Sequence, residues 1–345
     1  MSETQAGPES TVIGHEKVLS SLARAIKQGR TSHAYLITGP AHVGKLAVAM
    51  VLARHLNCLG DESPCGSCQQ CERIERLVHA DVKVVPVDAE GQHHEDGKPR
   101  TRITIEQVRA VSKEASLRPF EGRHRVYIFE DADRLTEDAS NALLKTLEEP
   151  PDQVVIVLLA SGEEAVLPTI SSRCHVLSLR PVPWPVLAAA LTERLGLDDA
   201  AALQIARTSA GRPGVAIRMA TDDEFAALRA ETLDRIEGAA TANLEGRLKY
   251  AASLASMFGK ERERAREEMV QWRDWWRDVL VAGQGLDDYV SHVSRADKIR
   301  ETAAAVGLAG ASQGLRASIQ AAERLDKNVV PALAIEQMML SMPGS

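Results

Sequence analysis

The run Gly39-Pro40-Ala41-His42-Val43-Gly44-Lys45 has the residue types and spacing of a loop that cradles phosphate groups. In such a loop backbone N–H groups surround the phosphate oxygens and the lysine reaches them. Gly39, Gly44 and Lys45 are therefore candidate ligands for a nucleotide. Hydrolysis needs one more group, a Ser or Thr hydroxyl directly after the lysine to hold Mg²⁺. The residue there is Leu46. Retention of the lysine leaves ATP or ADP binding open, while the metal-poor loop predicts slow or absent turnover. Further along, residues 125–129 read as an apolar strand ending in Glu130-Asp131-Ala132-Asp133. Acidic residues at the carboxyl end of a buried strand are where a phosphate-site enzyme places its metal ligand and water-activating base. Glu130 and Asp131 thus join the candidate site; the alternative is an ordinary acidic loop capping the next helix.

Four of the five cysteines sit together as Cys58, Cys65, Cys68 and Cys71, with two overlapping C-x-x-C steps. Thiolates at this spacing can close a tetrahedron around Zn²⁺. Pro64, Gly66 and Ser67 suit the tight turn that such a knuckle needs. Disulfides are the competing reading, disfavoured in a cytosolic chain. Four buried thiols are another, at odds with the polar stretch 60–72. With all four positions filled by protein, the zinc is expected to be structural. Cys174 stands alone and reads as a small packed residue.

The elements that must position these groups alternate in type. Residues 33–38 read as a strand running into the phosphate loop and residues 45–56 as the helix leaving it, which is the context the motif requires. Residues 82–87 form a second strand, 104–117 a helix, 141–149 a helix and 154–160 a continuous apolar strand of the kind buried on both faces of a parallel sheet. The pattern is doubly wound α/β, and right-handed crossovers should bring the loop and the acidic cluster to one sheet edge. Residues 88–100 are a charged loop whose His93 and His94 read as solvated. The character changes near Arg180, where Pro181, Pro183 and Pro185 lead into a small helical unit. From about residue 222 the chain is Ala/Leu/Arg/Glu-rich with no strand signal. The charge run 260–268 is expected to be a solvated helix face. Trp272, Trp275 and Trp276 sit at helical spacing and are expected to pack rather than stack on bases.

Bulk properties exclude several classes. A length of 345 residues predicts two or three domains. Hydrophobic content of 44% is ample for packed cores, and 3% aromatics fits Leu/Ala-rich helical packing. A net charge of -7 argues against a protein that holds nucleic acid over its whole surface. Residues 1–10 lack the apolar core of a signal peptide. The longest apolar run, 154–160, is too short to span a membrane, so a cytoplasmic chain is expected.

Taken in order, Val12-Ile13-Gly14-His15, His33-Ala34-Tyr35-Leu36, the phosphate loop, the four cysteines, Asn141-Ala142-Leu143-Leu144-Lys145-Thr146-Leu147-Glu148-Glu149-Pro150-Pro151 and Ser171-Ser172-Arg173-Cys174 resemble the bacterial DNA polymerase III clamp-loader subunits of the AAA+ superfamily. The likeness is specific to about residue 220 and looser beyond, where Trp276-Arg277-Asp278 and residues 328–336 are similar to that family's collar. The resemblance implies an AAA+ P-loop-type parallel-sheet domain with a zinc knuckle over residues 1–179, a helical lid over 180–221 and an all-α collar over 222–345. It also implies membership of a DNA-directed DNA polymerase holoenzyme. The implied partners are gamma/tau and delta subunits, the sliding clamp and, through the assembly, primed DNA, with no membrane.

The family has motor and stationary members, and the departures resemble the stationary delta-prime type. Leu46 stands where the motors have Thr. The pair Glu130-Asp131 is inverted, and Gly214 in Gly211-Arg212-Pro213-Gly214 stands where a nucleotide-sensing arginine is expected. His42 replaces a small glycine, which should hinder backbone approach to phosphate. The chain's end after one collar fits this type as well. The resemblance makes Arg173 an arginine that reaches into a neighbouring subunit's nucleotide site, where stabilising γ-phosphoryl charge can contribute on the order of 10³-fold in rate. The bland alternative for Arg173 is a salt bridge at a helix start. The competing function is an ATP-hydrolysing gamma/tau-type motor. A zinc-dependent DNA-binding module is a third class, opposed by the acidic charge and the lack of a basic, aromatic-interleaved stretch.

Overall fold

All residues of the strand Val154–Ala160 are buried, and its alternation organises the first half of the molecule. In this computed structural model, which describes residues 12–87, 101–326 and 329–343, the strand lies at the centre of a five-stranded sheet. The order is β2 (Val82–Val85), β3 (Arg125–Phe129), β4 (Val154–Ala160), β1 (Ala34–Thr38) and β5 (His175–Ser178). Every pairing is parallel. Successive side chains of a strand point to opposite faces. Val155, Val157 and Leu159 accordingly enter one core with Leu52 and Leu56, while Val154, Ile156 and Leu158 enter another with Val108, Leu143 and Leu147. Each fully buried Leu or Val contributes about 1.5–3 kcal/mol over leaving it exposed.

The helices covering these faces are α1 (Glu16–Lys27), α2 (Lys45–Asn57), α3 (Gln69–Glu75), α4 (Ile105–Ala115), α5 (Glu137–Glu148) and the short α6 (Pro168–Ser171). The boundaries follow from capping. Gln107 Oε1 accepts the N–H of Thr104 at 3.0 Å, so the helix predicted over 104–117 begins after Thr104; it ends at Ala115. Helix α5 starts four residues before the predicted 141 because Thr136 Oγ1 accepts the N–H of Ala139 at 3.2 Å, with Glu137 and Asp138 favourable in the first turn. The predicted strand at 82–87 is regular only to Val85. Strand β5 and helix α1 were not among the elements anticipated from the sequence. The loop at 88–100 with His93 and His94, and the N-terminal segment 1–10, lie outside the described residues.

The chain divides into two compact units, the first running to Leu187 with Arg212–Gly214, the second comprising Ala188–Gly211 and the residues from Val215 on. Helices α7 (Trp184–Leu195), α8 (Asp199–Thr208) and α9 (Pro213–Thr221) follow the sheet. Then come α10 (Asp223–Thr241), α11 (Leu244–Lys260), α12 (Arg262–Ala282), α13 (Ala296–Asp326, broken at Gly307) and α14 (Pro331–Leu340). Trp272, Trp275 and Trp276 are fully buried in the core of these helices, as their spacing predicts. A side chain at Gly314 would meet the Trp276 ring at 2.3 Å, so only glycine permits this helix contact. The predicted solvated face at 260–268 needs correction. Helix α11 ends at Lys260, and in α12 both Ala265 and Glu268 are buried. Glu268 is tolerated there because Arg235 and the Tyr250 hydroxyl donate to it, and Trp272 Nε1 donates to that hydroxyl at 2.7 Å. No helix among the described residues is long and apolar enough to cross a membrane.

Candidate nucleotide loop, metal cluster and arginine

The parallel sheet ends β1 and β3 at the same edge: Thr38 pairs with Ala160 and Phe129 with Leu158. The phosphate loop leaves β1 there and enters α2, with Lys45 as the first helical residue after Gly44 at φ 111°. At Gly39 a Cβ would lie 2.5 Å from the Leu179 carbonyl oxygen, which explains that glycine. Helix N-termini direct unpaired N–H groups and positive potential outward, the elementary requirement for binding phosphate.

Three features turn the loop inward on itself. Lys45 Nζ donates to the carbonyls of Gly39 at 2.7 Å and Pro40 at 3.0 Å. His42 takes a left-handed conformation at φ 63°, costing roughly 1–2 kcal/mol for a residue with a Cβ, and its carbonyl accepts the N–H of Gly214 at 3.0 Å. Any side chain at position 214 would begin 3.2 Å from His42. His15 Nε2 lies 3.1 Å from the Val43 carbonyl, tying the segment before α1 to the loop. Leu46 brings no hydroxyl and packs partly buried against the core below.

The acidic cluster does converge on this loop. Burial lowers the Lys45 pKa, and the charges of Asp133 and Asp131 act against that shift. Burial pushes Glu130 above its ordinary value, with the neighbouring Asp131 adding to the rise. Asp133 accepts from the Ser161 hydroxyl at 3.1 Å. Gly39, Gly44, Lys45, Glu130 and Asp131 therefore occupy one neighbourhood. It offers a lysine and helix-terminal N–H groups for a phosphate but lacks the hydroxyl that would hold its metal.

The cysteines form a separate centre. Cys58 directly follows α2, and Cys68 caps α3, placing Cys71 in that helix. The four Sγ atoms lie within 4.8 Å of one another. A tetrahedral zinc site with Zn–S of about 2.3 Å needs S···S separations of roughly 3.8 Å, so the set fits zinc. Backbone N–H groups are already aimed at the sulfurs: Gly60 and Cys65 at Cys58, and Cys68 at Cys65, each at 3.3 Å. Burial works to raise the Cys65 pKa, but hydrogen bonds from the Ser67 and Cys68 backbones outweigh it and bring the thiol down to about 6. Burial pushes the Cys71 thiol up. Cys58, Cys65, Cys68 and Cys71 would hold the ion, which would supply a structural cross-link with no open coordination position. Burial pushes the Cys174 thiol up to about 11, and the residue packs partly buried against the sheet core.

The knuckle is fastened to the loop before β3. The buried Asp81 carboxylate accepts the N–H groups of Phe120, Glu121 and Gly122 at 2.8–3.0 Å, and Asn57 Oδ1 accepts those of Arg123 and His124 at 2.8 and 2.9 Å. Gln70 of α3 donates to the Glu121 carbonyl at 3.1 Å. None of these anchors was assigned from the sequence; the only signal is a lone Asn or Asp beside an apolar run.

Arg173 stands in the turn after α6, whose Ile170 is fully buried. Its guanidinium donates to the Thr169 carbonyl at 2.8 Å and pairs with Glu148, the last residue of α5, at 2.7 Å. Glu148 lies in the sequence run 141–151, and no local pattern links it to Arg173.

A strand–loop–helix with its lysine, an acidic strand end at the same edge and an all-parallel sheet followed by helices define a P-loop domain of AAA+ type. The model of the family described as "DNA polymerase III, delta subunit" matches residues 14–183. DNA polymerase III subunit delta' of Bacillus subtilis is 29% identical over 328 residues, covering 94% of this chain and 95% of that protein. Subunit gamma/tau of Mycobacterium bovis is 34% identical over 209 residues, 59% of this chain. Subunit tau of Escherichia coli is 36% identical over 165 residues, 47% of this chain. The chain spans only 34% and 24% of those two proteins. A solved gamma subunit-related protein of Thermotoga maritima covers 93% of this chain and 97% of its own at 20% identity and a TM-score of 0.37. By these matches the chain is similar to the DNA polymerase III clamp-loader subunits.

Proposed function

We propose that this chain is the delta-prime-type, stationary subunit of the loader. It would help place the sliding clamp on primed DNA in company with gamma/tau and delta subunits, in the cytoplasm. In this reading residues 1–179 are the nucleotide-binding-like domain, 180–221 the lid and 222–345 the collar. Its own loop does not hydrolyse ATP, and Arg173 serves the site of the adjacent motor subunit. The observation that carries the reading is Leu46 beside a Lys45 whose ammonium is engaged by the loop's own carbonyls. The match to subunit delta' along nearly the whole chain supports it. The motor reading draws on the higher identity to gamma/tau relatives over the shared stretch. Against it stands the missing hydroxyl, since a motor must hold Mg²⁺ against the β- and γ-phosphates. The four cysteines would hold a structural zinc, and ATP or ADP could rest in the loop without turnover.

The test is clamp- and DNA-stimulated ATP turnover of a reconstituted loader. Arg173→Ala is expected to lower turnover severely and Lys45→Ala to leave it near wild type. The reverse pattern would assign hydrolysis to this chain's own site and overturn the proposal.

A further inference from the structure

We propose that Glu148 is a positioning residue for Arg173, holding the guanidinium ready for the neighbouring subunit's nucleotide; this rests on the trans-arginine reading above. The arginine leaves the turn after α6, and α6 is fixed by the buried Ile170 and by the bond from the Arg173 N–H to the Ile170 carbonyl at 3.0 Å. From that fixed base the side chain would sweep many rotamers, because arginine carries large side-chain entropy. Two contacts on the same guanidinium restrict it. Nη1 donates to the Thr169 carbonyl at 2.8 Å, and Nη2 pairs with Glu148 Oε1 at 2.7 Å. The first contact is made within the arginine's own turn. The second comes from the end of α5, so it fixes the guanidinium against the body of the domain.

A guanidinium has five N–H donors. The contacts with Glu148, Thr169 and, at 3.5 Å, the Ser172 hydroxyl engage three of them. Donors therefore remain for phosphate oxygens while the pair stays intact. Holding a group in its reactive place before the reaction removes an entropic cost from the barrier. The pair is partly open, with the Arg173 side chain 36% and the Glu148 side chain 50% exposed, so a partner subunit can reach it.

The experiment uses the reconstituted loader, with clamp and primed DNA, and compares Glu148→Gln, Arg173→Ala and the double variant. Glutamine keeps size and an acceptor but loses the charge, at a half-exposed site where folding is not at stake. Glu148→Gln is expected to lower kcat about two- to fivefold, the range an exposed ion pair supports, with KM unchanged because the arginine acts in the transition state. Glu148→Asp, which restores the charge, is expected to recover part of the loss. In the Arg173→Ala background, Glu148→Gln should cost nothing further. A further loss there would mean Glu148 acts through general structure, and a rise in turnover would make the pair a restraint; either overturns the inference. A full response to Arg173→Ala with none to Glu148→Gln overturns the inference alone. No response to Arg173→Ala overturns the trans-arginine reading and the inference with it.

Discussion

The cysteine knuckle and the phosphate loop lie at the two ends of α2 and rely on the same device, backbone N–H groups directed at negative charge. They differ in what completes them. In the knuckle, N–H groups point at sulfurs and four donor atoms stand within 4.8 Å of one another, so an ion would find every ligand in place. In the phosphate loop the lysine is present, but its ammonium binds the loop's carbonyls, His42 is tied to Gly214, and the metal-holding hydroxyl is missing. A binding loop can thus persist as a piece of architecture once its polar groups satisfy one another, whereas a metal knuckle has no such substitute. Four thiols without metal are merely a weak hydrogen-bonding cluster.

The largest effect should come from breaking the complete site. The purified chain is expected to carry one zinc, and Cys71→Ser to lose it, as read by elemental analysis. Structural zinc sites contribute on the order of 10 kcal/mol of apparent binding free energy, so the variant's first unit should melt well below wild type. Retention of stoichiometric zinc by Cys71→Ser would break the comparison.

A smaller effect is expected at the anchor beside the knuckle. Burial opposes charge on Asp81, but the N–H groups of Glu121, Phe120 and Gly122, with Arg125 beside them, outweigh it and hold the carboxyl below the usual carboxylate range. A carboxyl depressed on folding stabilises the folded state above its unfolded pKa of about 3.9, and that contribution is lost as pH falls through the folded value. Asp81→Asn should cost about 3 kcal/mol at neutral pH, and its stability should fall less than that of wild type below about pH 4. Denaturant titrations at pH 7 and pH 3 would check both.

The smallest effect should be at the incomplete site. His42→Gly exchanges left-handed strain for chain entropy, and is expected to change stability by no more than about 1 kcal/mol in thermal unfolding. A loss of several kcal/mol would mean that the His42 side chain is structural in its own right.

Much of this is legible in the sequence alone. The apolar run at Val154–Ala160 named a doubly buried strand, because only a central parallel strand needs no polar face. The cysteine spacing named a four-thiol cluster able to hold a metal, because ligands on one short segment are close in space by necessity. The predicted neighbourhood of Lys45 with Glu130 and Asp131 followed from parallel strands sharing an edge. What could not be read were pairings between distant segments. Asp81 with Phe120, Glu148 with Arg173 and Gly214 with His42 each depend on tertiary packing that no local period encodes. The buried Glu268 was misjudged for the same reason: its partners Arg235 and Tyr250 come from other helices.

The central claim, that the phosphate loop is retained without hydrolysis, is tested most directly by ATP turnover of the purified chain alone at saturating Mg²⁺ and ATP. No turnover above background is expected, for wild type and Lys45→Ala alike. Turnover by the wild type that Lys45→Ala abolishes would contradict it, and the loop would then have to be counted as a working motor site.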